Sequence, residues 1–245
     1  MNGFGVSDNA PPVVEAVNLR FLIRVFYAFA AMALLSLGIS VAGSWFGRSL
    51  SMAGQSDSLH PYEIVIGNNV LTVPENTIRF EKARVGGEAQ QLDVYFRWPT
   101  MEGYSRDVRD EFNNRGGLRT IIFASIEQAL MSRDMSGRLE PIYKHVIEPA
   151  PQPGPADLQV YRFKPQSGYV NEMLMVGALP GGKAFVARCL TGPSAAESLA
   201  PCERDVAFGK GLSVTYRFPE ALLTDWRQLD KAVMGRIGGF LRESR

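Results

Sequence analysis

Cysteine, histidine and net charge are all scarce in this chain, and each scarcity excludes a class of function. Two cysteines and two histidines among 245 residues leave too few ligands for a zinc module, and neither His60 nor His145 lies near Cys189 or Cys202 in sequence. The expectation is therefore no metal and no cofactor. Lysine plus arginine number 26 against 25 acidic residues, and setting aside the first 46 positions leaves 24 against 23. A nucleic-acid surface must neutralise several phosphates at once, so a neutral chain without a basic run is expected to bind no nucleic acid. HExxH, the nucleophile elbow and the glycine loop with its phosphate-binding lysine are also missing from the residues after position 46. No Asn-Xaa-Ser/Thr acceptor occurs either, which together with the simple layout points to a bacterial protein.

What the chain does have is one long hydrophobic run. Val25 to Phe46 contains 22 residues without a charge, and as a helix it would reach about 33 Å, the thickness of a bilayer core. Arg20 and Arg24 precede it, Arg48 follows it, and Trp45 and Phe46 sit where an aromatic belt would lie. The layout predicts a cytoplasmic tail over 1–24, a transmembrane helix over 25–46 in contact with the lipid bilayer, a Ser/Gly-rich linker over 47–60 and an extracytoplasmic domain over 61–245. A cleaved signal peptide and a buried helix of a soluble protein are the alternatives for the apolar run. The two arginines ahead of it favour a cytoplasmic N-terminus, which puts a bacterial inner-membrane protein's C-terminal domain in the periplasm.

The domain reads as α+β, with an antiparallel sheet and a packed C-terminal amphipathic helix. Tyr62 to Ile66 and Val70 to Val73 flank a Gly67-Asn68-Asn69 turn, and Thr77 to Glu81 continues the β pattern. Gln91 to Trp98 alternates, with Leu92, Val94, Phe96 and Trp98 on one face. Further strands are expected at Leu118 to Ser125, Leu158 to Phe163, Tyr169 to Val176, Lys183 to Leu190 and Leu212 to Phe218, with a loop around Asp134 to Gly137. After Pro219 the period changes: Leu222, Trp226, Leu229, Val233, Ile237 and Phe240 recur at three and four, the stripe of a helix lying on a sheet.

Cys189 and Cys202 flank a polar loop and are expected to form a disulfide across the base of a hairpin, which requires an oxidising compartment. Chemistry, if present, would use His145 as a base with Ser132 or Ser136 as nucleophile and Asp134 as orienter, an arrangement that sequence spacing leaves open. The stretch Met131 to Arg138, MSRDMSGR, is the other candidate: Arg133, Asp134 and Arg138 form a ligand- or partner-binding loop or an exposed turn. The reading is a membrane-anchored envelope binding or scaffold protein, with an accessory subunit of a larger membrane complex as one form of that role. An envelope hydrolase or transferase using His145, and a small-ligand sensor, are the rivals.

Overall fold

The computed structural model describes residues 19–52 and 54–242. The first part of the expected tail, up to residue 18, lies outside the described residues. Leu19–Met52 is one continuous 34-residue helix, α1. It runs past the expected 25–46 boundaries because no proline interrupts it, so the first residues assigned to the linker are helical. Ile23–Ser40 is long and apolar enough to cross a membrane and is unburied, a length and composition that a membrane span shares with a signal sequence.

From Met52 onward the chain forms a separate unit of mixed α+β architecture. In chain order its strands are β1 (Pro61–Ile66), β2 (Asn69–Pro74), β3 (Gly87–Glu88), β4 (Gln91–Arg97), β5 (Ile121–Gln128), β6 (Gln152–Pro153), β7 (Gln159–Arg162), β8 (Glu172–Ala178), β9 (Ala184–Leu190), β10 (Cys202–Phe208) and β11 (Leu212–Phe218). Its helices are α2 (Arg109–Phe112), α3 (Met135–Arg138), α4 (Lys144–Val146), α5 (Gly192–Glu197) and α6 (Trp226–Gly238). The large sheet has eight strands in the order β4-β5-β11-β10-β9-β8-β7-β6, with every neighbouring pair antiparallel. A three-stranded sheet, β2-β1-β3, accompanies it.

Alternation along the strands sends one set of side chains to a single main core. Leu92, Val94 and Phe96 of β4, Ile122 and Ile126 of β5, and Val214, Tyr216 and Phe218 of β11 meet the stripe of α6, with Ile64, Ile66, Leu71 and Val73 joining from the small sheet. The stripe anticipated from sequence is buried throughout, Trp226 completely. Gly177 makes room for its indole, since a Cβ there would fall 2.7 Å from Cζ2, and the indole Nε1 donates to the Ala156 carbonyl at 3.0 Å. Pro219 is not the first helical residue: it has extended backbone and precedes a 3₁₀ turn over Glu220–Asp225 that leads into α6.

Other expectations shift. Thr77 to Glu81 does not continue a strand; 3₁₀ turns at Glu75–Thr77 and Glu81–Ala83 bracket a single bridge, Ile78↔Val94. The strand expected at Leu118 starts three residues later, because Gly116 and Gly117 with positive φ make the turn and Leu118 remains 62% exposed. The loop expected around Asp134 is helix α3, continued by a π-helical segment over Leu139–Tyr143 and by α4.

The sheet is narrowest between β9 and β10. These seven-residue strands pair through Cys189↔Cys202 and Arg188↔Glu203, with one further bond from Leu190 N to the Pro201 carbonyl at 3.0 Å, whereas β10 and β11 pair along their whole length. The Cys189–Cys202 disulfide joins the strands at this short contact, and closing its loop is worth about 3 kcal/mol in a chain-entropy account. Beyond it the strands diverge, and Arg204, 3% exposed, bridges the gap. Its Nε donates to Asp230 Oδ1 of α6 at 2.9 Å, and its Nη1 donates to the Val186 carbonyl of β9 at 3.0 Å and to Ser136 Oγ of α3 at 3.1 Å. Tyr216 donates its hydroxyl to the same Asp230 oxygen at 2.8 Å. Burial, and then the neighbouring Asp230 carboxylate, push that hydroxyl well above the ordinary tyrosine range, so it remains a donor.

Removing one member of a buried pair strands the other charge. Asp230→Ala is therefore expected to destabilise the domain by about 3 to 5 kcal/mol, and Tyr216→Phe by only about 1 kcal/mol. Denaturant unfolding measures both, and a loss below about 1 kcal/mol for Asp230→Ala would contradict a buried hub.

Candidate functional site

The face of the large sheet turned away from α6 is apolar at its two ends and polar in the middle. At one end Met135, Tyr143, Ile147 and Phe163 pack on Leu174 and Val186; at the other Tyr95, Tyr104 and Ile121 cluster with Phe112. Between them the pairing register lines up two polar rows. Asp93, Ser125, Thr215 and Asp205 stand opposite one another across β4, β5, β11 and β10, as do Gln91, Glu127, Ser213 and Ala207. Two adjoining hollows of about 230 and 290 Å³ lie over this floor and share Glu127 and Thr215. The first is walled by Met131, Arg133, Asp134, Met135 and Arg138.

The candidate residues of the Met131–Arg138 stretch are thus placed on a groove, but most are occupied in building it. Asp134 caps α3 by accepting from Gly137 N at 2.9 Å, and its second oxygen accepts from Ala207 N of β10 at 3.1 Å. Ser136 donates to the Ala184 carbonyl of β9 at 2.7 Å. Arg138 Nη2 donates to both oxygens of Asp205 at 2.7 Å, and Asp205 Oδ1 also accepts from Met135 N at 2.7 Å. α3 is therefore wedged where β9 and β10 separate, and it supplies partners to the Ala207 amide and the Ala184 carbonyl. Arg133 stands apart: exposed on the rim, it has no ion pair among the described residues.

His145 is not part of this arrangement. It is exposed on α4, and the hydrogen bond at that residue is made by its backbone carbonyl, which accepts from Lys164 Nζ at 2.8 Å. Among the described residues no hydrogen bond joins its imidazole to Ser132, Ser136 or Asp134, and it does not line the groove. Ser132 is exposed and off the groove lining, and both Asp134 oxygens face backbone amides. The structure does not assemble the base, nucleophile and orienter that spacing left open.

Strand alternation hid the residues that form the floor. Arg217, Glu203, Arg188 and Glu172 make a continuous ion-pair chain, with contacts of 2.6, 2.9 and 3.2 Å. In sequence their only sign is a charged residue on the outward side of each strand, which marks a solvated face equally well. Arg79 lies over the Phe123 ring at 4.7 Å, and Ser125 Oγ is buried without a hydrogen-bond partner among the described residues.

No protein-family model and no curated protein matches the chain. Its fold is similar to that of an immunity protein of the Stenotrophomonas maltophilia type IV secretion system, at 14% identity and a TM-score of 0.52 over 79% of this chain and 98% of that one. An iron-regulated outer membrane lipoprotein of Neisseria meningitidis aligns at 13% identity and a TM-score of 0.46 over 77% of this chain and 95% of its own. At 14% identity the first likeness is one of fold alone.

Asp134→Ala removes a helix cap and the partner of a strand amide, and is expected to destabilise the domain by about 1 to 3 kcal/mol. Ser132→Ala should stay within about 0.5 kcal/mol of the parent. Equal effects in chemical unfolding would contradict the wedge. Burial pushes the Tyr143 hydroxyl from 10.0 up to about 12. Between these values the unfolded chain holds fewer protons than the folded one, so stability falls as pH rises from 10 toward 12. In urea titrations across that range Tyr143→Phe should lose less than the parent; parallel losses would count against the burial.

Proposed function

We propose that this protein is a membrane-tethered binding protein of the bacterial cell envelope. In this reading α1 spans the inner membrane over 25–46 with the N-terminus cytoplasmic, and the α+β domain of residues 61–245 works in the periplasm, where it engages a protein partner and serves as an accessory or scaffold subunit of a membrane complex. The uncharged, proline-free run of α1 that follows Arg20 and Arg24 supports the anchor. The Cys189–Cys202 disulfide supports an oxidising compartment. The fold shared with a secretion-system immunity protein is compatible with a role in the envelope.

The observation that carries the binding role is the segment leading from β5 into α3. Leu130 is 94% exposed and Met131 65% exposed at the edge of a charged groove. Large apolar side chains held on a surface beside polar floor groups have the composition of a protein-contact patch, in which an apolar centre is bordered by polar groups. The wedge of α3 gives the segment a fixed base, because Asp134 and Met135 are hydrogen-bonded to β10 immediately after it.

Affinity capture of the full-length protein from gently solubilised native membranes tests this. The expected result is a reproducible, stoichiometric membrane partner that is lost when Leu130 and Met131 are both replaced by Ser. Recovery of the protein alone, or of a partner indifferent to that double substitution, would contradict a binding role centred on this segment.

A further inference from the structure

Every carboxylate on the central floor but one is engaged. Asp93 accepts from Gln91 Nε2 at 3.0 Å, Glu203 is paired with Arg188 and Arg217, and Asp205 with Arg138. Glu127 is the exception. It is half-buried at the junction of the two hollows and has no hydrogen-bond or ion-pair partner among the described residues. Its cross-strand neighbours, Gln91 and Ser213, bring no positive charge. Glu127 is therefore the floor carboxylate with capacity for an incoming cation, while Arg79 and Arg133, which line the same hollows, have no ion pair among the described residues.

The shape of the site selects what brings it. The groove crosses four strands, about 14 Å at 4.8 Å per strand, which matches about four residues of extended chain. A bare metal ion is a poor match, since among the described residues no group of three or more His, Cys, Asp or Glu side chains could hold one. A small polyamine would leave the exposed Leu130 and Met131 unused. We infer that the groove receives an extended segment of the partner protein that places a lysine or arginine on Glu127 and an apolar side chain against Leu130 and Met131. This rests on the partner-binding reading above and narrows it to one chemistry.

The test keeps the full chain in its own membranes and places a photo-reactive amino acid at Leu130, with a second probe at Val170, which is 72% exposed and off the groove lining. The expected result is a protein cross-link from position 130 whose linked peptide contains lysine or arginine within a few residues. Its yield should fall about tenfold with Glu127→Gln and vanish with Glu127→Lys, the scale of a desolvated interfacial charge pair. Glu127 holds no partner among the described residues, so neither variant should lower the melting temperature, and a thermal melt checks that. An unchanged yield in Glu127→Lys, a linked peptide without a basic residue, or cross-links to lipid alone would overturn the inference. Protein cross-links from Val170 with position 130 silent would overturn it while leaving a partner-binding protein in place. Silence at both positions would count against both.

Discussion

The domain depends on one buried guanidinium. Between β9 and β10 the large sheet is held by two residue pairs, the Leu190 to Pro201 backbone bond and a disulfide, and past that point the two strands are no longer paired with each other. Arg204 fills the gap by reaching β9 through the Val186 carbonyl, α3 through Ser136 and α6 through Asp230. Its ring neighbour, Phe185, lies 4.7 Å from the guanidinium carbon and belongs to the same core that seats Trp226. A charge so enclosed is stabilising only if its counter-charge and hydrogen bonds are all in place, which ties the position of α3 to the packing of the C-terminal helix on the opposite face.

That constraint makes the groove. Because α3 is fixed in the split by Asp134, Met135, Ser136 and Arg138, the segment before it stands over the edge of the sheet with Leu130 and Met131 uncovered. The rest of the polar floor is locked in the Arg217, Glu203, Arg188 and Glu172 chain. Among the described residues Glu127 and Arg133 line these rigid walls without an ion pair, a pre-organised arrangement that lowers the cost of ordering side chains on binding.

Sequence patterning was legible where a single face decided the structure. The alternation of β4 and β11, the β1–β2 hairpin, the α6 stripe and the cysteine pair all depend on residues close in sequence or on one repeating period. It was misleading where a long-range partner overrode local propensity. MSRDMSGR reads as an exposed turn or a binding loop because its polar side chains have no visible partner, yet Asp134 and Arg138 are spent on Ala207 and Asp205, about 70 residues away. Glu127 was invisible for the opposite reason: on a strand, a functional carboxylate and a solvated one obey the same alternation, and only the pairing of its neighbours singles it out.

Amide hydrogen exchange on the full chain tests the account most directly, read at Ala207 and Met135. The Ala207 amide of β10 donates to Asp134 at the start of α3, and the Met135 amide of α3 donates to Asp205 of β10, so both amides tie the wedge to the sheet. The account predicts that they are protected like the β10–β11 ladder in the parent and lose that protection together in Arg204→Leu. Ala207 exchanging in the parent at the rate of an open strand edge would contradict the wedge, and with it the basis on which the groove is formed.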